Sequence, residues 1–133
     1  GLCQDLVSAH NRGVNVTLLI SSDIYSSFDK EAAQTCYESL QSAGLKVQAT
    51  PSYYKYSHQK YWITDGKRVG LSTGNWSPTD LPAQSSFPVY PAADWVDANR
   101  DAHIKVTHPA VVAVYHDTLL QDYMRGSAWT PWQ

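Results

Sequence analysis

The sequence predicts an α/β protein, a mixed β-sheet with helices packed on its faces. Three observations predict it. Short apolar runs at 14–20 and 45–49 flank a stretch of helical periodicity, the pattern of a strand–helix–strand unit. Asp65-Gly66 separates two strand-like segments, the signature of a tight hairpin. A last alternating segment, His103-Ile104-Lys105-Val106, leads into a further helical stripe.

The elements follow in order. Leu2, Leu6 and Ala9, flanked by Cys3 and Val7, share one helix face, and Gly13 is a natural stop. No capping residue precedes this helix, so the chain is expected to be a fragment, a processed product or one half of something larger. Residues 14–20 read as a buried strand. Ser27 or Asp29 can cap the next helix. Its stripe is Ala33, Cys36, Tyr37 and Leu40, and Gly44 ends it. Leu45, Val47 and Ala49 alternate in a second strand. Pro51 opens a tyrosine-rich connection, Tyr53-Tyr54-Lys55-Tyr56, that leads into the hairpin. Residues 77–98 form a long connection with four of the seven prolines, plus Phe87, Tyr90 and Trp95. Connections of this length are usually functional or disordered; its rings argue against disorder, which leaves two readings, a segment shaping the substrate cleft beside a candidate site residue and a surface excursion packed down by its own rings. Pro109 suits a first helical turn, and Val112, Tyr115, Leu119 and Tyr123 make the stripe that follows.

Bulk properties narrow the functional classes. The chain has 133 residues, 43% hydrophobic and 17% charged, enough for one folded domain spanning 1–133. No apolar run is long enough to cross a bilayer as a helix. Ten basic residues against twelve acidic ones leave no broad basic footprint for duplex nucleic acid. Five tryptophans and nine tyrosines supply rings for a core, for stacking on bases or for a lipid interface. The spacing of Cys3 and Cys36 matches no zinc pattern, so no metal site is expected there, and no cofactor is expected elsewhere. The two cysteines fall on separate predicted helices and can pair if those helices share a face. Few charges, many aromatics and a cysteine pair lean towards an extracellular or other extracytoplasmic setting. His10, His103, His108 and His116 show no partner pattern and read as surface or helix-end residues.

The chemistry concentrates in the hairpin. Alternation puts His58, Lys60, Trp62 and Thr64 on one strand face. A two-residue turn at Asp65-Gly66 pairs Thr64 with Lys67, Lys60 with Leu71 and His58 with Thr73. His58, Lys60 and Thr73 then come together, with Asn75 just beyond the strand end. A one-residue slip would undo the grouping. A nucleophilic imidazole, an ammonium with three donors and a neutral carboxamide are the groups needed to attack and hold a phosphoryl group.

This run, His58-Gln59-Lys60, four residues, Asp65, then Ser72-Thr73-Gly74-Asn75, resembles the signature of the phospholipase D superfamily (the HKD motif). Ser72 stands where that family usually has glycine. Asn99-Arg100-Asp101 resembles the segment that supplies a carboxylate to orient the histidine. The resemblance implies a phospholipase D-like half-domain and a phosphodiesterase working through a phosphohistidine. In that scheme His58 attacks phosphorus, Lys60 and Asn75 hold the non-bridging oxygens, and Thr73 and Trp76 contact substrate. Asp101 holds the His58 ring, and Asp65 is structural, at the turn. No metal is needed.

The superfamily's site uses two motif copies, and this chain has one His-x-Lys. The resemblance therefore implies a partner: a homodimer mate, as in the small single-motif nucleases of the superfamily, or a companion chain carrying the second half. A phospholipid or similar small phosphodiester is the expected substrate. The alternatives are a metal-independent nuclease preferring single strands, with Tyr53, Tyr54, Tyr56 or Trp76 stacking on bases, and a non-catalytic phosphate- or partner-binding module.

Overall fold

The computed structural model describes residues 1–24, 27–77, 80 and 99–132, with the side chains of 27–29 outside the description. The predicted caps Ser27 and Asp29, and all of the 77–98 connection except Ser77 and Asp80, therefore lie outside the described side chains. The chain divides into two compact units, residues 1–58 with 117–133, and residues 59–116. Six strands and three helices are assigned among the described residues. The α/β class holds, but the strands form two three-stranded sheets rather than one mixed sheet.

The first unit is a strand–helix–strand unit with additions. Strand β1 (Thr17–Ile20) pairs in parallel with β2 (Lys46–Ala49), and helix α2 (Ser27–Ser42) connects them. Strand β6 (Ser127–Ala128) adds to the other side of β2, antiparallel. Helix α1 (Leu2–Asn11) precedes them. The core gathers Ile20, Leu40, Leu45, Val47, Ala49 and Trp129, with Leu6, Val7, Cys36, Tyr37 and Trp132 packed on it. Leu40 is fully buried, so truncating it to alanine would cost about 2–5 kcal/mol.

Glycine ends α2 as its sequence requires. Gly44 has φ +90°, and the Leu45 N–H reaches back to the Leu40 carbonyl at 3.0 Å. The 14–20 run is shorter as a strand than its apolarity implies. β1 begins at Thr17, and Val14 is 49% exposed. β1 is an edge strand and keeps water on part of its surface. Cys3 and Cys36 are joined as a disulfide, Cα–Cα 5.8 Å, tying α1 to α2. The aromatic tail packs by ring edges: Tyr37 meets Trp129 at 5.3 Å and Trp132 at 5.8 Å.

The second unit is an antiparallel sheet in the order β3 (Tyr61–Thr64), β4 (Arg68–Ser72), β5 (His103–Val106). The first turns of helix α3 (Pro109–Arg125) belong to it, and the rest of α3 to the first unit. One sheet face carries Tyr61, Ile63, Val69 and Leu71. Val69 is fully buried and Tyr61 meets Tyr115 edge-on at 5.1 Å. The other face carries Trp62, Gly70 and Lys105 in one cross-strand row.

Candidate active site

Asp65 and Gly66 both adopt positive φ, 54° and 64°, as the sequence demands of this turn, and the Lys67 N–H donates to the Thr64 carbonyl at 3.0 Å. Asp65 is thus at the turn, where the sequence reading sets it. The register differs from the expected one. Thr64 pairs with Arg68 and Tyr61 with Leu71, so Lys67 is an extra residue in the loop. The Ser72 N–H donates to the Lys60 carbonyl at 2.8 Å, which extends the ladder one step and sets Ser72, not Leu71, opposite Lys60. The expected pairing of Thr73 with His58 falls with that shift. The turn dipeptide fixes local φ but leaves an added residue invisible, and one residue exchanges the two faces.

The consequence reaches every side chain after β4. Thr73 leaves the Lys60 face, and its N–H continues the ladder to the Ala102 carbonyl at 3.1 Å. Its hydroxyl donates to Asp101 Oδ1 at 2.7 Å and accepts from the Ala102 N–H at 3.0 Å. The hydroxyl expected on substrate is therefore engaged in holding Asp101. Asp101 Oδ2 is buried and receives no donor from the described residues. A Cβ at Gly74 would lie 2.5 Å from that oxygen, so the chain needs glycine at 74. Ser72, at the family's usual glycine position, is an ordinary strand residue. Among described non-glycine residues only Asp65 has positive φ. The Ser72 hydroxyl accepts from the Gly74 N–H at 3.0 Å and donates to the Gly74 carbonyl at 3.1 Å, stiffening the bend into Asn75.

Lys60 is half-buried at the start of this ladder. Burial pulls its ammonium below the ordinary lysine range, while the carboxylates of Asp80 and Asp101 push it back up. Lys60, Asp80 and Asp101 therefore form one electrostatic group. Asn75 is exposed, and its backbone N–H donates to Asp80 Oδ2 at 2.7 Å. The same oxygen accepts from the Ser77 hydroxyl at 3.0 Å, and Asn99 Nδ2 donates to Asp80 Oδ1. Asp80 is held below the usual carboxylate range, first by Asn99, with the Asn75 N–H and Ser77 adding to it against partial burial. Sequence reasoning missed Asp80. The only signal was an acid five residues beyond the motif asparagine, inside a proline-rich stretch.

Two further residues stand on or beside this sheet. Trp76 is 52% exposed and meets Trp62 edge-on at 5.5 Å, and Trp62 is 40% exposed. Trp62 covers Gly70, where a Cβ would lie 2.1 Å from its ring. His58 is an exposed residue of the first unit, the last before the division, two positions ahead of Lys60.

An ammonium tempered by two carboxylates, beside a loop presenting a carboxamide, is the equipment of a site for an anionic group. The chain belongs to the phospholipase D-like family: the family described as "Cardiolipin synthase, PLD-like domain" matches residues 1–123. The fold agrees. The chain is similar to the crystal structure of Nuc from Salmonella typhimurium, described as a phospholipase D family member. The TM-score is 0.70 at 16% identity, over 96% of this chain and 72% of that one. At that identity the likeness speaks for the fold alone. No curated protein sequence matches the chain.

Proposed function

We propose that the protein is a phosphodiester hydrolase acting through a phosphohistidine at His58. The observation that carries this reading is the family match over residues 1–123, which spans every motif residue. The His58 imidazole attacks phosphorus, a P–N bond forms, and the bond to the leaving oxygen breaks. That oxygen takes its proton from a second histidine acting as general acid. Water then attacks phosphorus, gives its proton back to that histidine, and breaks the P–N bond. Lys60 and Asn75 stabilise the charge on the non-bridging oxygens in both transition states. The second histidine comes from a homodimer mate or a companion half.

A phospholipid or similar small phosphodiester is the favoured substrate. The matched family carries cardiolipin synthase in its description, and the exposed Trp62–Trp76 pair suits a lipid headgroup region. The Cys3–Cys36 disulfide supports an extracytoplasmic setting. The exposed rings of Tyr53, Tyr54 and Tyr56 favour a second reading, a nuclease acting on single strands. Hydrolysis of phosphatidylcholine against that of a single-stranded oligonucleotide, both in EDTA, separates the two. Activity lost in EDTA contradicts the mechanism. Function unchanged in His58→Ala leaves a binding module instead.

A further inference from the structure

We propose that Asp80 is a positioning residue for the phosphate-holding pair Lys60 and Asn75, fixing the backbone of one and supporting the charge of the other. The inference rests on the hydrolase reading for its consequence, but its physical content does not. One carboxylate collects three donors from two segments far apart in sequence: the Asn75 N–H at 2.7 Å, the Ser77 hydroxyl at 3.0 Å, and the Asn99 amide. Hydrogen bonds to an ionised acceptor are about twice as strong as neutral ones. The bond to the Asn75 backbone orients the residue whose carboxamide meets substrate. It does so through the main chain, without using that carboxamide.

The second role is electrostatic. Lys60 loses solvation at its half-buried position, which pulls its ammonium below the ordinary lysine range. Asp80 and Asp101 are the two carboxylates acting on it. The charged or titratable groups that β4 and β5 place by register on its sheet face are Arg68, His103 and Lys105, and alternation adds His58; none of them favours a further cation. Asp101 accepts from the Thr73 hydroxyl and is also a side-chain hydrogen-bond partner of Asp80, so it faces both groups. Asp80 joins the two tasks because the carboxylate that holds the Asn75 backbone is also one of those acting on Lys60.

The test compares Asp80→Asn with Asn99→Ala, following the Lys60 side chain and the Asn75 amide by NMR through a pH titration. Asn99→Ala removes one strut and keeps the charge. In Asp80→Asn, Lys60 loses its proton at lower pH than in wild type and the Asn75 amide proton moves upfield. In Asn99→Ala the Lys60 titration stays close to wild type. Turnover of bis(p-nitrophenyl) phosphate with the second half present falls in Asp80→Asn by about a hundredfold, mainly in kcat. The alkaline limb of its pH profile moves to lower pH with Lys60. If Asp80→Asn does not fold, acid titration of the wild type serves, where the Asn75 amide and Lys60 signals respond in one step as Asp80 protonates. An unmoved Lys60 titration and Asn75 amide overturn the inference, whatever the activity. A moved titration without any turnover, in wild type as well, sinks the hydrolase reading and leaves the Asp80 coupling standing.

Discussion

The two units divide labour in a way their composition makes plain. The first holds the hydrophobic cluster, the disulfide and the packed tryptophans, and ends at the exposed His58. The second has, among the described residues, one fully buried large side chain, Val69, and spends its hydrogen bonds on a network of Ser72, Thr73, Gly74, Asn75, Asp80, Asn99 and Asp101. Apolar burial is non-directional and tolerates repacking, whereas a polar network fixes particular atoms in particular places. Substitutions in the first unit's core should register as stability, and substitutions at His58 or in the second unit's polar network as chemistry.

The sharpest break in that comparison is at the proposed nucleophile. His58→Ala should remove turnover of a phosphodiester by at least about ten-thousandfold, since no other group takes over covalent attack. Lys60→Ala should cost roughly a hundred- to a thousandfold, as loss of one stabilising donor does. His58 is exposed, so thermal melting of His58→Ala should match wild type. A large fall in melting temperature there would contradict the separation of roles.

The converse test is the disulfide. Cys3 and Cys36 close a loop of sequence separation 33, which constrains the unfolded chain by roughly 3–4 kcal/mol. Cys3→Ser with Cys36→Ser should lower the urea midpoint accordingly. The Asn75 amide environment in the second unit should be unchanged under native conditions.

Much of the fold was legible because local rules suffice for it. Gly13 and Gly44 mark helix ends through their positive φ, and Asp65-Gly66 marks the turn for the same reason. The helical stripe of Cys36, Tyr37 and Leu40 names the residues that pack into the core. What escaped depends on non-local pairing. Lys67 as an extra loop residue shifts the register and puts Ser72 where Leu71 was expected. β6 has two residues, too few to show alternation, yet it brings Trp129 into the core. The division into two sheets follows from which strands pair, not from any strand's own sequence. The motif residues were found by spacing. The residues supporting them were not, because Asp80 reaches Asn99 across nineteen positions, and no short pattern encodes that closure.

Two glycines refine the comparison at smaller scale. A Cβ at Gly126 would lie 2.0 Å from the Ala49 carbonyl oxygen, main chain that is pinned in β2. Gly126→Ala must therefore push β2 or the end of α3 aside, at about 2–3 kcal/mol, read as a lower urea midpoint. It should leave the second unit's chemistry alone.

Gly70 meets an equally close neighbour, but one of another kind. Its added Cβ would lie 2.1 Å from the Trp62 ring, a side chain 40% exposed and free to change rotamer. Gly70→Ala should swing Trp62 away from the sheet and break its edge contact with Trp76 at a cost near 1 kcal/mol. The readout is tryptophan fluorescence and near-UV circular dichroism, which should change while the melting temperature scarcely moves. If the Trp62–Trp76 pair contacts a lipid substrate, KM for vesicular phosphatidylcholine should rise severalfold with kcat little altered, because the rings serve binding and not the reacting atoms. A loss of stability as large as that of Gly126→Ala would mean that Trp62 is fixed rather than resting on the sheet. The second unit would then be held by packing to a degree its two buried valines, Val69 and Val112, do not indicate.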